Sequence, residues 1–248
     1  DGRLEQVAGG RECGAGVRLL NGEHTYYAHT DALDETSLAA AADAVAAALR
    51  DAGAAGPVTD LGGVRTETGR HPVLVPPDQV DVARKAALVH AADDEARAAG
   101  AEVVQVVAGY ADARQEVLIA NSLGEVVRDA RTRTRLGVQV VARRDAVIQT
   151  GHETLGASRG FEVMDDDAVL AAARAAAGKA IVMLDARPAP AGTMPVVLAN
   201  GFGGTLFHEA CGHGLEADAV AKGASVYAGM MGEVVAAPIV SAFDDGNV

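Results

Sequence analysis

The chain has 248 residues, of which 49% are apolar and 3% aromatic, and its formal net charge at pH 7 is −13. This acidic balance argues against nucleic acid or an anionic membrane surface as a partner. The sequence contains no run of about 18 apolar residues, so it predicts no transmembrane helix. Two cysteines cannot form a disulfide framework, so we expect a protein of the reducing cytoplasm.

The first part of the sequence predicts strands and then an Ala-rich helix. Alternating apolar residues and turn signals indicate a β-meander over Leu4–Thr30. Asp34 has the position of an N-cap before a helix that ends near Asp51. The Gly/Pro/Thr-rich stretch Ala52–Pro77 indicates a loop.

A second helix is predicted from Asp78 to about Ala99. Val82, Ala86, Val89 and His90 are predicted to lie on one stripe of this helix. We interpret His90 as a partly buried core histidine rather than as a metal ligand.

The central part of the sequence predicts an antiparallel sheet and a third helix. A hairpin loop at Asn121–Gly124 lies between strand-like runs, and Asp165–Asp167 cap a helix that ends near Asp185. The strand-like runs are Glu102–Ala108, Gln115–Ala120, Glu125–Arg128, Arg135–Arg143 and Ala146–Thr150. A mostly antiparallel sheet with Ala-rich helices on one face predicts the α+β fold class.

Five arginines form a basic cluster on these strands in an otherwise acidic chain. Exposed strand positions are the simplest explanation, and contact with a substrate carboxylate or another subunit is the alternative. The five are Arg131, Arg133, Arg135, Arg143 and Arg144.

A Pro/Ala-rich linker at Arg187–Gly192 predicts a domain boundary. Residues 1–187 would form an N-terminal α+β domain, and residues 188–248 would begin a second, β-rich domain. Its first strand, Met194–Ala199, leads into the glycines of 201–204 and then a helix. A phosphate-binding loop is a weak interpretation of these glycines, because neither GxGxxG nor GK[ST] is present.

The predicted helix after the glycines carries His208, Glu209 and His213. Neutral imidazoles are common zinc ligands, and an adjacent carboxylate can act as a general base. Because the histidines are five residues apart, one regular helix turns their rings roughly 140° from each other. A local π-bulge, which Gly212 and Gly214 would permit, brings both onto one face. Glu209 and His213 share a face of a regular helix and form the competing ligand pair.

Three neighbours of this motif have open roles. Cys211 is interpreted as a small buried thiol, with metal ligation as the alternative. Glu216 and Asp218 could each orient an imidazole or belong to a solvated helix face. From these residues alone, a metal site and a pair of structural histidines are equally open interpretations.

The segment from Phe202 to Gly246 resembles the TldD/PmbA family of zinc metallopeptidases, in its TldD-type branch that bears HExxxH. The resemblance rests on the glycine-rich lead-in, HEACGHGLE, KGASV, GEVVAAP and the closing DDG, with weaker matches upstream. It implies that His208 and His213 bind Zn²⁺ and that Glu209 is the general base. It also implies a dimer, of identical chains or with a paralogue that lacks the motif, around a cavity that admits unfolded or short peptides.

The third zinc ligand implied by the family is a cysteine in a downstream β-rich domain, which would lie beyond Val248. The chain begins without methionine and stops at the turn signal Asp244-Asp245-Gly246, so we expect a truncated piece of a longer protein. The predicted function is a zinc-dependent metallopeptidase or amide hydrolase, acting on peptides or a peptide-like natural product intermediate. A catalytically silent dimerisation or binding module is the alternative.

Overall fold

The computed structural model describes residues 2–22, 24–51, 60–66 and 71–243. The chain divides into two compact units, Asp1–Arg187 and Pro188–Val248. Residues 52–59 and 67–70 of the predicted loop, and the predicted turn at 244–246, lie outside the described residues.

The first unit has the predicted α+β class, with three long helices and an open sheet in its described residues. Its strands are β1 (Ala15–Asn21), β2 (His24–Thr30), β3 (Val64–Thr66), β4 (Val103–Ala120), β5 (Val126–Arg144) and β6 (Val147–Ala157). Its helices are α1 (Glu35–Asp51), α2 (Val82–Ala98) and α3 (Asp166–Met183). No helix in the described ranges is long and apolar enough to cross a membrane.

The N-terminal strands form one antiparallel hairpin, β1 with β2, and α1 packs against it. As predicted, Asp34 caps α1, because its carboxylate accepts the Ser37 N–H at 2.9 Å. The predicted meander is wrong for the segment that begins at Leu4: residues 2–14 are irregular and exposed. A strand needs a neighbouring ladder for its backbone groups, and only β1 and β2 provide one to each other here.

The main sheet has β5 at its centre. Strand β5 pairs antiparallel with β4 and β6 and, at its start, parallel with β3. Helices α2 and α3 cover one face and form the core with alternate residues of β5. Strand β5 contributes Leu136, Val138, Val140 and Ala142 to this core, and α3 contributes Val169, Ala173, Ala176, Ala177 and Ala180.

The five predicted strand runs are three longer strands. Strands β4 and β5 pair without interruption from Val106 opposite Val140 to Ala120 opposite Val126, around the predicted Asn121–Gly124 loop. The runs were predicted as separate because the polar segment between them lacks an apolar alternation, whereas the backbone ladder is independent of side-chain polarity.

The second helix differs from its prediction at its start and at its buried face. Asp81, not Asp78, is the N-cap, with its carboxylate accepting the Ala83 N–H at 2.8 Å. The buried stripe is Leu88, Ala92 and Ala96. His90 is exposed, so its predicted place in the core is wrong. In so Ala-rich a helix the apolar contrast between faces is weak, which makes the stripe ambiguous.

The second unit has no strand among its described residues. It contains the short helices α4 (Phe202–Phe207) and α5 (Ala217–Ala221), with helical turns between them. The predicted strand Met194–Ala199 is irregular, and Val197 is 97% exposed. Pro195 lacks the N–H that a central strand would use, and no described strand of this unit offers a ladder.

Candidate metal centre

The motif helix changes its pitch at the first histidine. Gly201 has a left-handed φ of 78°, which favours glycine, and α4 follows it directly. The next turn, His208–Gly212, is a π-helix in which the His213 N–H donates to the His208 carbonyl. A short 3₁₀ turn, His213–Leu215, ends the segment.

This π-turn confirms the predicted change of helix geometry and brings the two imidazoles together. The ring centroids of His208 and His213 are 4.4 Å apart. One ligand atom from each of these rings and one carboxylate oxygen of Glu209 lie within 4.8 Å of one another. Among the described residues, this is the one group of three His, Cys, Asp or Glu side chains that could hold a metal ion.

The His213 ring is held at one nitrogen by Glu216. Its Nδ1 lies 2.8 Å from Glu216 Oε1, while its Nε2 lies 3.6 Å from Glu209 Oε2. The hydrogen bond to Glu216 raises the pKa of His213, and the negative charges of Glu216 and Glu209 add to the effect. In the neutral ring Nδ1 then carries the proton donated to Glu216, and the lone pair of Nε2 faces the group.

The three neighbours of the motif with open roles differ in their contacts. Asp218 lies 3.5 Å from Lys222 on an exposed helix face, so it makes a surface ion pair and not a contact with an imidazole. Cys211 is half-buried and is not a member of the metal-ligating group. Of the two predicted carboxylates, only Glu216 contacts a histidine of the motif.

The three donor groups fit a zinc site in chemistry and nearly in distance. Tetrahedral zinc at 2.0–2.1 Å from nitrogen or oxygen separates its ligand atoms by about 3.3 Å. The present spacing of up to 4.8 Å can close by rotation of surface side chains, because Glu209 is 64% and His213 51% exposed. The group is therefore compatible with a zinc ion that also takes further ligands.

The arginine cluster belongs to the first unit. As predicted, all five side chains are exposed on β5. Arg131 pairs with Asp129 at 2.7 Å, and Arg144 pairs with Glu102 at 3.1 Å and Asp185 at 2.8 Å. Acidic neighbours thus partly neutralise the cluster.

Sequence reasoning gave no role to Ser225 and Tyr227, which contact the end of the motif at Gly214. Nothing in residue type or periodicity indicates this contact, because Ser225 is 11 positions from Gly214 and α5 lies between them. Only the sequence resemblance, through KGASV, included this segment.

Models of three domains of one family match the chain. PmbA/TldA metallopeptidase domain 1 matches residues 1–52, the central domain residues 75–184 and the C-terminal domain residues 191–248. The chain belongs to the TldD/PmbA family. In this TldD/PmbA chain, the histidine motif lies in the part matched by the C-terminal domain.

Two curated relatives carry metalloprotease names. The "Metalloprotease TldD homolog" of Haemophilus influenzae is 35% identical over 256 residues, which cover 100% of this chain and 52% of the relative. The "Metalloprotease" of Methanothermobacter thermautotrophicus is 31% identical over 252 residues, covering 100% of this chain and 54% of the relative. The chain spans about half the length of these relatives, and their names imply a metal ion in those proteins.

A solved structure from Thermotoga maritima, described as a candidate modulator of a DNA gyrase, shares the fold. It superposes with a TM-score of 0.58 and 21% sequence identity, over 77% of this chain and 42% of that one. At this identity the likeness supports the TldD/PmbA fold alone.

Proposed function

We propose that this chain carries the metal site of a zinc-dependent metallopeptidase or amide hydrolase of the HExxxH-bearing branch. The main support is the π-turn, which places one ligand atom each of His208, Glu209 and His213 within 4.8 Å of one another. Two imidazoles with an adjacent carboxylate are the donor types of hydrolytic zinc sites. The metalloprotease names of the relatives point to the same reaction class.

Each residue of the group has a definite part in this proposal. Zn²⁺ held by His208 and His213 would supply Lewis acidity, polarising the scissile carbonyl and lowering the pKa of the attacking water. The Glu209 carboxylate accepts the proton of that water and delivers it to the leaving amine nitrogen. Glu216 keeps the His213 ring oriented, with Nε2 towards Glu209.

The proposed substrates are unfolded or short peptides, or a peptide-like natural product intermediate. The exposure of His208, Glu209 and His213 supports access of an extended chain to the group. A cysteine beyond the described residues would complete the ligand set. The proposal includes a dimer, of identical chains or with a paralogue that lacks the motif, and a cytoplasmic location in line with the low cysteine content.

A catalytically silent dimerisation or binding module is the second candidate. The small number of possible metal ligands favours this candidate, because the metal-ligating group has three members in the described part of the chain. If Glu209 serves as a base, only two protein ligands remain, and a structural or catalytic zinc normally has at least three.

Zinc content and a Glu209→Gln variant separate the two candidates. In the complete polypeptide that contains this chain, we expect about one zinc per chain. Glu209→Gln should keep the metal and lose peptide hydrolysis by about a hundredfold or more, because the amide cannot accept the proton. Glu233→Gln, an exposed glutamate of the same unit, is the matched control. Normal cleavage by Glu209→Gln would exclude Glu209 as the base, and a zinc-free native protein would favour the silent module.

A further inference from the structure

The backbone after His213 is held by a later segment of the chain. The Ser225 hydroxyl donates a hydrogen bond to the Gly214 carbonyl, and its oxygen accepts the Tyr227 N–H at 3.1 Å. Ser225 and Tyr227 are half-buried, although most described residues of this unit are exposed. These two hydrogen bonds tie the 225–227 segment to the end of the motif.

The Tyr227 ring packs against the bare α-carbon of Gly214. A methyl carbon built at Gly214 would lie 2.8 Å from Cε2 and 3.0 Å from Cδ2 of Tyr227. Such distances are repulsive, so the ring and the backbone can meet only because residue 214 has no side chain. The nearest atoms of Tyr227 are these two ring carbons and not the phenol oxygen.

These contacts act on Gly214, the residue that directly follows a proposed ligand. The last carbonyls of a helical segment lack intrahelical partners, and Ser225 supplies one for Gly214. Because Gly214 follows His213 directly, holding Gly214 at its carbonyl and at its α-carbon restricts movement of the backbone on the C-terminal side of His213. Glu216 then fixes the rotation of the ring through Nδ1 at 2.8 Å. Separate groups thus hold the ring of His213 and the residue that follows it.

We propose that Ser225 and Tyr227 are positioning residues for His213, holding the Gly214 peptide so that Nε2 is presented to the zinc ion. This inference rests on the proposed function, because it requires His213 to bind zinc. A ligand held in advance loses less conformational freedom when it binds, so the contacts should raise the affinity for the metal.

The test compares metal affinity in the complete polypeptide. Zinc dissociation constants are measured by competition with a chromophoric chelator, and the Co²⁺ form reports the coordination geometry through its visible absorption bands. Ser225→Ala and Tyr227→Ala should each weaken zinc binding by about tenfold, the low end of the range for groups that orient ligands. Ser225→Thr, which keeps the hydroxyl, and Tyr227→Phe, which keeps the ring, should bind zinc almost as the native protein does.

The exposed Ser241→Ala variant controls for loss of a hydroxyl in the same unit. Zinc affinity and Co²⁺ bands of Ser225→Ala that equal those of the native protein would overturn the inference and leave the proposed function standing. A native protein that binds no zinc would overturn the proposed function and the inference together. Should Ser225→Ala fail to fold, Tyr227→Leu against Tyr227→Phe carries the same comparison.

Discussion

The Glu216 carboxylate controls the protonation of His213. Its hydrogen bond to Nδ1 at 2.8 Å, followed by its charge and that of Glu209, raises the pKa of His213 above the ordinary value of 6.5. We expect Glu216→Gln to lower the pKa of His213 in the metal-free protein, because a neutral amide stabilises the imidazolium less well. An NMR titration of the imidazole C–H signals measures this pKa.

The direction of this pKa shift also sets the pH range in which the His213–Glu216 pair stabilises the folded protein. Because the folded-state pKa is raised, the pair stabilises the folded protein below the unfolded pKa and loses that effect as the pH rises through the folded pKa. Zinc binds the neutral ring, so the same shift makes protons stronger competitors for the site. Glu233→Gln should leave the pKa of His213 unchanged. An equal pKa in native protein and Glu216→Gln would contradict the assignment.

Residue types together with the family resemblance pointed to the candidate site, but neither assigned its supporting contacts. His208, Glu209 and His213 are recognisable because few residue types bind zinc or accept protons. Their five-residue spacing places the two rings on different faces of a regular helix, and a π-turn, which the structure has, was one predicted way to bring them together. Glu216 and Asp218 are indistinguishable in the sequence, because both are acidic and follow His213 closely. The choice depends on the backbone path after the π-turn, which the sequence does not specify.

At the level of elements, the close approach of α3 to β6 depends on Gly151. A methyl carbon built there would lie 2.5 Å from the Ala180 nitrogen and 3.0 Å from the Lys179 Cβ, and it would overlap the Ala176 carbonyl. We expect Gly151→Ala to lower the free energy of unfolding by about 3 kcal/mol, because backbone atoms of a packed helix cannot move aside. Urea unfolding monitored by circular dichroism measures this change.

Gly137, in the middle of β5, is the matched control. A methyl carbon built there has no atom within 4 Å, so Gly137→Ala should be neutral or stabilising by up to about 1 kcal/mol. Equal stability losses in the two variants would show that backbone preference, and not the helix contact, decides the cost at Gly151.

The same dependence on tertiary contacts explains which elements were predicted well. Helices α1 and α3 have acidic caps and regular composition, and both appear where the sequence placed them. The N-cap of helix α2 lies three residues later than predicted, at Asp81 and not at Asp78. Its buried face was misplaced because alanine fits either side of a helix. Packing against β4 and α3 selects Leu88, Ala92 and Ala96, and this choice is not encoded locally.

At the scale of the whole molecule, burial is distributed unequally between the two units. Every buried core residue in the described ranges belongs to the first unit, and the described residues of the second unit are exposed or half-buried. The apolar segment around Val196 and Val197 has strand-like composition, yet composition alone cannot supply the neighbouring ladder that a strand requires. The sequence could therefore indicate apolar character at 194–199 but not the backbone state of these residues.

This distribution predicts a large difference in hydrogen exchange between the units. Amides of β5 and α3 are hydrogen-bonded inside a packed core, and their exchange requires large-scale unfolding. We expect them to exchange at least about a thousandfold more slowly than the amides of residues 194–199 and 230–243, since folded domains are stable by about 5–15 kcal/mol. Exchange followed by mass spectrometry on this 248-residue chain, with an unfolded chain as reference, measures both rates. Equal protection of β5 and residues 194–199 would mean that the second unit contributes to a common core, and the assignment of stability to the first unit would be wrong.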